Sequence, residues 1–238
     1  MAREYFIGID LGGTNVRAGI VTRDGEILGR DSRRTEIHVG EEHSINQIIA
    51  CANAAVSDAG VNAQDIAGIG IGSPGPIDVF SGLVVSPVNF PTWGTVPLVE
   101  ILSKEFGGVP GALDNDANVV AYGECWLGAG RETDNFLCIT LGTGVGGGVV
   151  VDGKLLHGFD GNSAEIGHIS INFDGPPCNC GSIGCLELYC SATAIVRRTR
   201  AAIQVENPVT KLQTEGLTAH VIADAAEQGD EFARRMYE

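Results

Sequence analysis

The chain has 238 residues, 44% of them hydrophobic and 19% charged, with 30 acidic side chains against 15 Lys and Arg. That composition supports a packed core in one large domain or two ordinary ones. A formal net charge of −15 without any Lys/Arg-rich run argues against nucleic acid as a partner.

Residues 5–9, 16–22 and 26–32 read as successive short strands, with Asp24-Gly25 as the second connecting turn. Glu4 and Asp10 fall where a signal peptide would be apolar, so none is expected here. Residues 41–59 carry Ile45, Ile48, Ile49, Ala52, Ala55 and Val56 at helical spacing, and Gly60 follows as a C-terminal stop. An apolar strand over 66–71 runs into Gly72-Ser73-Pro74-Gly75-Pro76, and a further strand is expected at 83–86. Pro97 opens a helix over 98–106, and residues 109–113 form a strand that feeds a helix over 116–127. Strands at 136–141 and 148–151 bracket a Gly-rich turn. The uncharged run there, 135–151, is too short and too rich in Gly for a membrane span. A loop dense in Gly, Pro and Cys (158–185) precedes helices at 186–204 and from 218 onward, and a last helix at 231–238 reads as stopping mid-element.

One internal repeat stands out. Gly8-Ile9-Asp10-Leu11-Gly12-Gly13-Thr14 and Ile139-Thr140-Leu141-Gly142-Thr143-Gly144 are both strand ends entering Gly/Thr turns. It suggests two related domains with a boundary near Asn115, 1–115 and 116–238. Neither turn is a Walker A loop, which needs G-x-x-x-x-G-K-[ST] leading into a helix. In a hairpin, such glycines let successive N–H groups face one centre, a nest for phosphate oxygens. Asp10 beside the first turn suits a hydrated Mg²⁺. A tight hairpin with a surface Asp is the alternative for the first turn alone. Two matching turns, converging on a polyphosphate from both sides of a cleft, favour a nucleotide.

Asn115-Asp116-Ala117-Asn118 follows a strand and opens a helix, so Asn115 is placed to cap and Asp116 lies in the first turn. Capping and dipole compensation alone would account for the pair. An ionised carboxylate there can also accept the proton of an attacking hydroxyl. The sharpest signal is Glu165-x-x-His168 followed by Cys178-x-Cys180-x4-Cys185. His168, Cys178, Cys180 and Cys185 form a Cys₃His set suited to structural, tetrahedral Zn²⁺. With one ring nitrogen on the metal, His168 would present the other as an oriented donor for a hydroxyl, and Glu187 would be fixed by the same metal. Seven Cys without an export signal imply reduced thiols and a cytoplasmic protein; Cys51, Cys125, Cys138 and Cys190 read as core thiols without a role.

Taken in order, these motifs resemble the ROK family of repressors, open reading frames and sugar kinases, and most of all its bacterial glucokinase branch. Gly72-Ser73-Pro74-Gly75-Pro76-Ile77-Asp78 and Leu141 through Gly148 add to the likeness, which runs from Phe6 to about Thr199. The resemblance implies an actin/hexokinase-like fold, two α/β domains of ribonuclease-H-like topology around a cleft that closes on sugar and MgATP. It implies Asp116 as catalytic base and Asn115, Glu165, His168 and Glu187 on the sugar hydroxyls, with Gly75 nearby. Asp10, Gly12, Gly13, Thr14, Gly142, Thr143 and Gly144 go to the nucleotide phosphates and their metal.

Two departures from the family pattern stand out. Ala164 occupies a position where the family usually has Gly, before Glu165. Family members also continue past residue 238, through a Gly-Gly turn that holds the adenosine. The C-terminal part of the fold is therefore expected to be missing, and no residue is assigned to the adenine. The resulting expectation is a cytoplasmic kinase using ATP, Mg²⁺ and structural Zn²⁺ to phosphorylate the 6-hydroxyl of a hexose, glucose first, and a homo-oligomer at full length. A kinase for N-acetylhexosamine, mannose or fructose, or a non-catalytic sugar sensor, is the alternative.

Overall fold

The computed structural model describes residues 4–87 and 90–237. Strands β1 (Tyr5–Leu11), β2 (Asn15–Thr22) and β3 (Ile27–Arg34) form an antiparallel meander. Helix α1 (Glu41–Ala59) leads to β4 (Ile66–Ser73), then β5 (Ile77–Asp78), β6 (Leu83–Val85) and β7 (Thr95–Val96). Next come α2 (Leu98–Glu105), β8 (Gly111–Asn115) and α3 (Asp116–Leu127), followed by β9 (Phe136–Leu141), β10 (Val145–Val151) and β11 (Lys154–Leu155). The chain closes with α4 (Glu187–Cys190), α5 (Ala192–Glu206), α6 (Ala219–Glu227) and α7 (Glu231–Tyr237). Residue 238, the end of the expected last helix, lies outside the described residues.

The central sheet has the order β3-β2-β1-β4-β8, with β4 and β8 parallel to β1. Its strands alternate or run apolar as burial demands. Ile7, Ile9 and Leu11 of β1, and Val16, Ala18 and Ile20 of β2, are all buried. Helix α1 turns Ile48, Cys51, Ala52, Ala55 and Val56 onto this layer, as its 3.6-residue spacing requires. Each large aliphatic buried this way stabilises the fold by about 1.5–3 kcal/mol, so Ile48→Asp, at a fully buried position, would detach α1. Cys51 sits at the centre of that face with its Sγ towards the carbonyl oxygens of Val16 and Asp31. Cys125, Cys138 and Cys190, expected in the core, are only half-buried.

The chain clusters into two compact units, one comprising residues 1–136 and 148–163, the other residues 137–147 and 164–238. The second has its own core of Ile195, Leu212, Leu217, Ile222, Phe232 and Ala233. The helix expected over 186–204 is broken in two at Ser191. Its extended backbone (φ −68°, ψ 157°) ends α4, and its Oγ accepts from Ala194 N at 3.1 Å to cap α5. Strand β10 begins at Val145 and not at 148, so the turn from β9 is only Gly142–Gly144. Among the described residues, no helix is long and apolar enough to cross a membrane.

Candidate functional site

In the first unit the chemistry gathers at the carboxyl ends of the parallel strands, where open α/β sheets bind ligands. The register places Asp10 of β1 beside Gly72 of β4, Gly72 beside Asp114 of β8, and Ser73 beside Asn115. With neighbouring strands about 4.8 Å apart, Asp10 and Asp114 flank the side-chain-free Gly72 at roughly 10 Å. Asp10 Oδ2 pairs with Arg17 Nη1 at 3.1 Å, both side chains being more than half exposed. An exposed pair of this kind is worth at most about 1 kcal/mol, so it is a weak competitor for a cation.

Beyond β8 the chain turns directly into α3. Asn115 is the N-cap, its side chain accepting from Ala117 N at 2.9 Å. The same N–H also reaches Asp116 Oδ1 at 2.8 Å. Asp116 is exposed, and its Oδ2 meets no donor among the described residues. Gly75 lies in the bend between β4 and β5, ahead of a cis peptide bond to Pro76.

The two Gly/Thr turns are each three residues long, Gly12–Thr14 between β1 and β2 and Gly142–Gly144 between β9 and β10. Each is closed by a glycine N–H, Gly12 to Asn15 O and Gly142 to Gly144 O, both at 3.0 Å. Each is also braced by a threonine that sequence reading overlooked. Thr35 Oγ donates to Gly12 O and Thr193 Oγ to Thr143 O, both at 2.6 Å. Each hydroxyl thus ties one carbonyl of its turn to a neighbouring segment. No motif marks Thr35 or Thr193; the contacts span 23 and 50 residues.

The second turn is built against Glu187. Its Oε2 accepts from Val145 N at 3.1 Å, and a Cβ at Gly144 would lie 2.2 Å from that oxygen. A Cβ at Gly144 would therefore push the Glu187 carboxylate off the Val145 N–H. A Cβ at Gly142 meets nothing within 4 Å.

Glu187 follows the thiol loop by two residues. The ligand atoms of His168, Cys178, Cys180 and Cys185 all lie within 4.8 Å of one another. His168 Nδ1 is 3.6 Å from Cys178 Sγ, and Cys180 Sγ is 3.6 Å from Cys185 Sγ. The Ser182 backbone N–H and the Cys178 side chain hold the Cys180 thiol below its ordinary value, whereas burial and the neighbouring thiols push Cys185 up to about 11. Three thiols this close cannot all ionise without a cation among them, and a divalent metal removes the conflict. One nitrogen and three sulfurs suit tetrahedral Zn²⁺ in a closed, structural site.

His168 turns its Nε2 the other way, 3.9 Å from Glu165 Oε2, too long for a hydrogen bond. Glu165 is 60% exposed and precedes the 3₁₀ turn Ile166–His168. Ala164 before it has φ +62°, the left-handed region that favours glycine.

A sequence profile of the ROK family matches residues 6–238. The glucokinase of Thermotoga maritima is 45% identical over 237 residues, covering 98% of this chain and 73% of the relative. A ROK family glucokinase from Streptomyces griseus, solved in complex with glucose and AMPPNP, superposes with a TM-score of 0.79 at 35% identity over 98% of this chain and 74% of that one. A ROK family transcriptional regulator homologous to the E. coli MLC protein gives 0.84 at 28% identity, over 98% of this chain and 58% of the regulator.

Proposed function

Because the chain belongs to the ROK family, we propose that it is an ATP-dependent sugar kinase transferring the γ-phosphoryl group to the 6-hydroxyl of a hexose, with glucose as the first candidate. The observation that carries this reading is the exposed Asp116 at the mouth of the parallel strands, held by the helix start yet with one carboxylate oxygen unengaged among the described residues. A capping residue alone has no need of that position, because Asn115 already caps the helix.

In this reading Asp116 Oδ2 accepts the proton of the 6-hydroxyl as its oxygen attacks the γ-phosphorus. The new P–O bond forms while the bond to the bridging oxygen breaks, and that oxygen leaves on ADP. The remaining catalysis is positioning and charge stabilisation. Asn115, Glu165, His168 and Glu187, with Gly75, are assigned to the sugar. The turns Gly12-Gly13-Thr14 and Gly142-Thr143-Gly144 are assigned to the phosphates. Asp10 is assigned to Mg²⁺, which neutralises phosphate charge when bound. His168, Cys178, Cys180 and Cys185 would hold zinc, which supplies rigidity and not Lewis acidity. The functional division assigned is 1–115 and 116–238, within an actin/hexokinase-like fold.

A coupled ADP-release assay over a panel of hexoses, with zinc and Mg²⁺ supplied, tests the reading. Glucose-dependent turnover is expected, falling by roughly 10²-fold or more in Asp116→Asn, with sugar binding retained. Unchanged turnover in that variant would return Asp116 to a capping role. Likeness to the regulator structure favours one second reading, a sugar sensor without catalysis. Sugar binding with no hexose-dependent ADP release would select it.

A further inference from the structure

Behind Asp116 lies a side-chain contact that joins two distant parts of the first unit. His157 Nε2 and Asp114 Oδ2 are 2.6 Å apart, across 43 residues of sequence. Both side chains are mostly buried, with 30% and 19% of their surface exposed. A carboxylate oxygen accepts, so in this pairing the ring nitrogen is the donor. Its other oxygen, Oδ1, accepts from Asn115 N at 2.8 Å and from Asn118 Nδ2 at 2.9 Å. Asn118 is 2% exposed, and its Oδ1 has no partner among the described residues. Asp114 therefore holds the only hydrogen bond this buried amide makes there, and it decides which way the amide faces.

The ring itself is set by its loop. Leu156 N donates to Val149 O at 2.8 Å, and Ser163 N donates to His157 O at 3.3 Å. Phe80 meets the imidazole edge-on, with ring centroids 6.4 Å apart at 64°.

Resting on the kinase reading, we propose that His157 is a positioning residue for the catalytic base, acting through Asp114. The chain of contacts runs from His157 to Asp114, from Asp114 to Asn115 and Asn118, and from Asn115 to the Ala117 N–H that also orients Asp116. Without the imidazole donor, Asp114 Oδ2 loses its partner and the carboxylate can rotate off Asn115 N and Asn118. The junction between β8 and α3 then loosens by fractions of an ångström, enough to spoil alignment of a base with its proton. The bond needs a donor at one place and no other chemistry from the residue, so His157 touches neither sugar nor nucleotide in this assignment.

The test compares His157→Phe, which keeps a ring against Phe80 but cannot donate, with His157→Gln, whose amide can. Hexose-dependent ADP release is measured for both in the intact protein, alongside the parent and Asp116→Asn, with thermal midpoints recorded. His157→Phe is expected to lower kcat by roughly 10- to 100-fold, with the KM for sugar within about threefold. His157→Gln should recover most of that loss. Adding Asp114→Asn to His157→Phe should lower kcat no further, because both act through one carboxylate. Parent-like kcat in His157→Phe beside an Asp116→Asn that has lost its turnover would overturn the inference and leave the kinase reading standing. Equal losses in the Phe and Gln variants would overturn it too, as would a loss that merely tracks the thermal midpoint. A parent that releases no ADP with any hexose would sink the kinase reading, and the inference with it.

Discussion

Replacing Ala164 with glycine should make the protein more stable, against the usual sense of such a change. In an ordinary helix or strand, Ala→Gly loosens the unfolded chain and costs about 0.4–1 kcal/mol. Ala164, however, sits at φ +62°, where a Cβ clashes with its own backbone at a cost of about 1–2 kcal/mol. The structure holds it there with the bond from Ile166 N to Ala164 O at 2.7 Å, and with the 3₁₀ turn that starts two residues later. The residue is only half-buried, so the methyl contributes little packing to set against the strain. Relief minus entropy leaves a net gain of about 0.5–1 kcal/mol, or about 1–4 °C in thermal midpoint for a chain of this size. Calorimetry of zinc-replete parent, Ala164→Gly and Ala164→Val would read it. Valine, β-branched in a left-handed site, should fall below the parent by about 1–2 kcal/mol. A lower midpoint for the glycine variant would show that the methyl packs better than its exposure implies, and that strain is not what this position pays.

Metal analysis should find about one Zn²⁺ per chain, as a single Cys₃His set requires; Cys180→Ser should lose it and weaken sugar binding about tenfold or more, and undiminished sugar affinity would uncouple the two. Gly142→Ala should leave the unfolding free energy within about 0.5 kcal/mol of the parent, because its Cβ would meet nothing within 4 Å, yet weaken ATP binding in calorimetry; unchanged ATP affinity would remove this turn from the phosphate site. Gly144→Ala should instead destabilise the fold, since its Cβ would displace Glu187 from Val145 N–H; a parent-like midpoint would deny that packing. Burial raises the Asp230 pKa, but the N–H groups of Ala233 and Lys211 and the Thr210 hydroxyl outweigh it and leave the group below its ordinary value. Its contribution is therefore fully present above the unfolded pKa near 3.9 and lost as pH falls through the lower folded value. Urea titrations between about pH 2 and 6 should show a shallower acid slope in Asp230→Asn, and an identical slope would exclude this carboxylate.

The local parts of the fold were legible because local rules govern them. Helix α1 follows from its apolar spacing, α3 from the Asn115 cap, and the metal set from four ligands inside 18 residues. The matched turns were visible as a repeat, although what braces them was not: Thr35 and Thr193 are ordinary threonines until the chain folds them onto a carbonyl. The break at Ser191 was readable in principle, since a Ser before Ala192-Thr193-Ala194 is a capping signal, but the flanking helical pattern masked it. His157 left no trace, because its partner lies 43 residues away and no motif spans that distance. The oddity at Ala164 was legible as a missing glycine; only the backbone angle shows what the absence costs.

The thiol of Cys51, fully buried beneath α1, is pushed up to about 11, first by burial and then by the Asp31 charge. Near neutral pH only about one such group in ten thousand is a thiolate, against a few per cent for an exposed cysteine. An alkylating reagent thus finds no nucleophile there while the helix stays seated. Modification proceeds only as fast as α1 lifts from β2 and β3, and the rate at which label enters at this single atom becomes a clock for that opening. The protein carries its own hydrogen-exchange experiment in one sulfur, readable by mass spectrometry without a mutation.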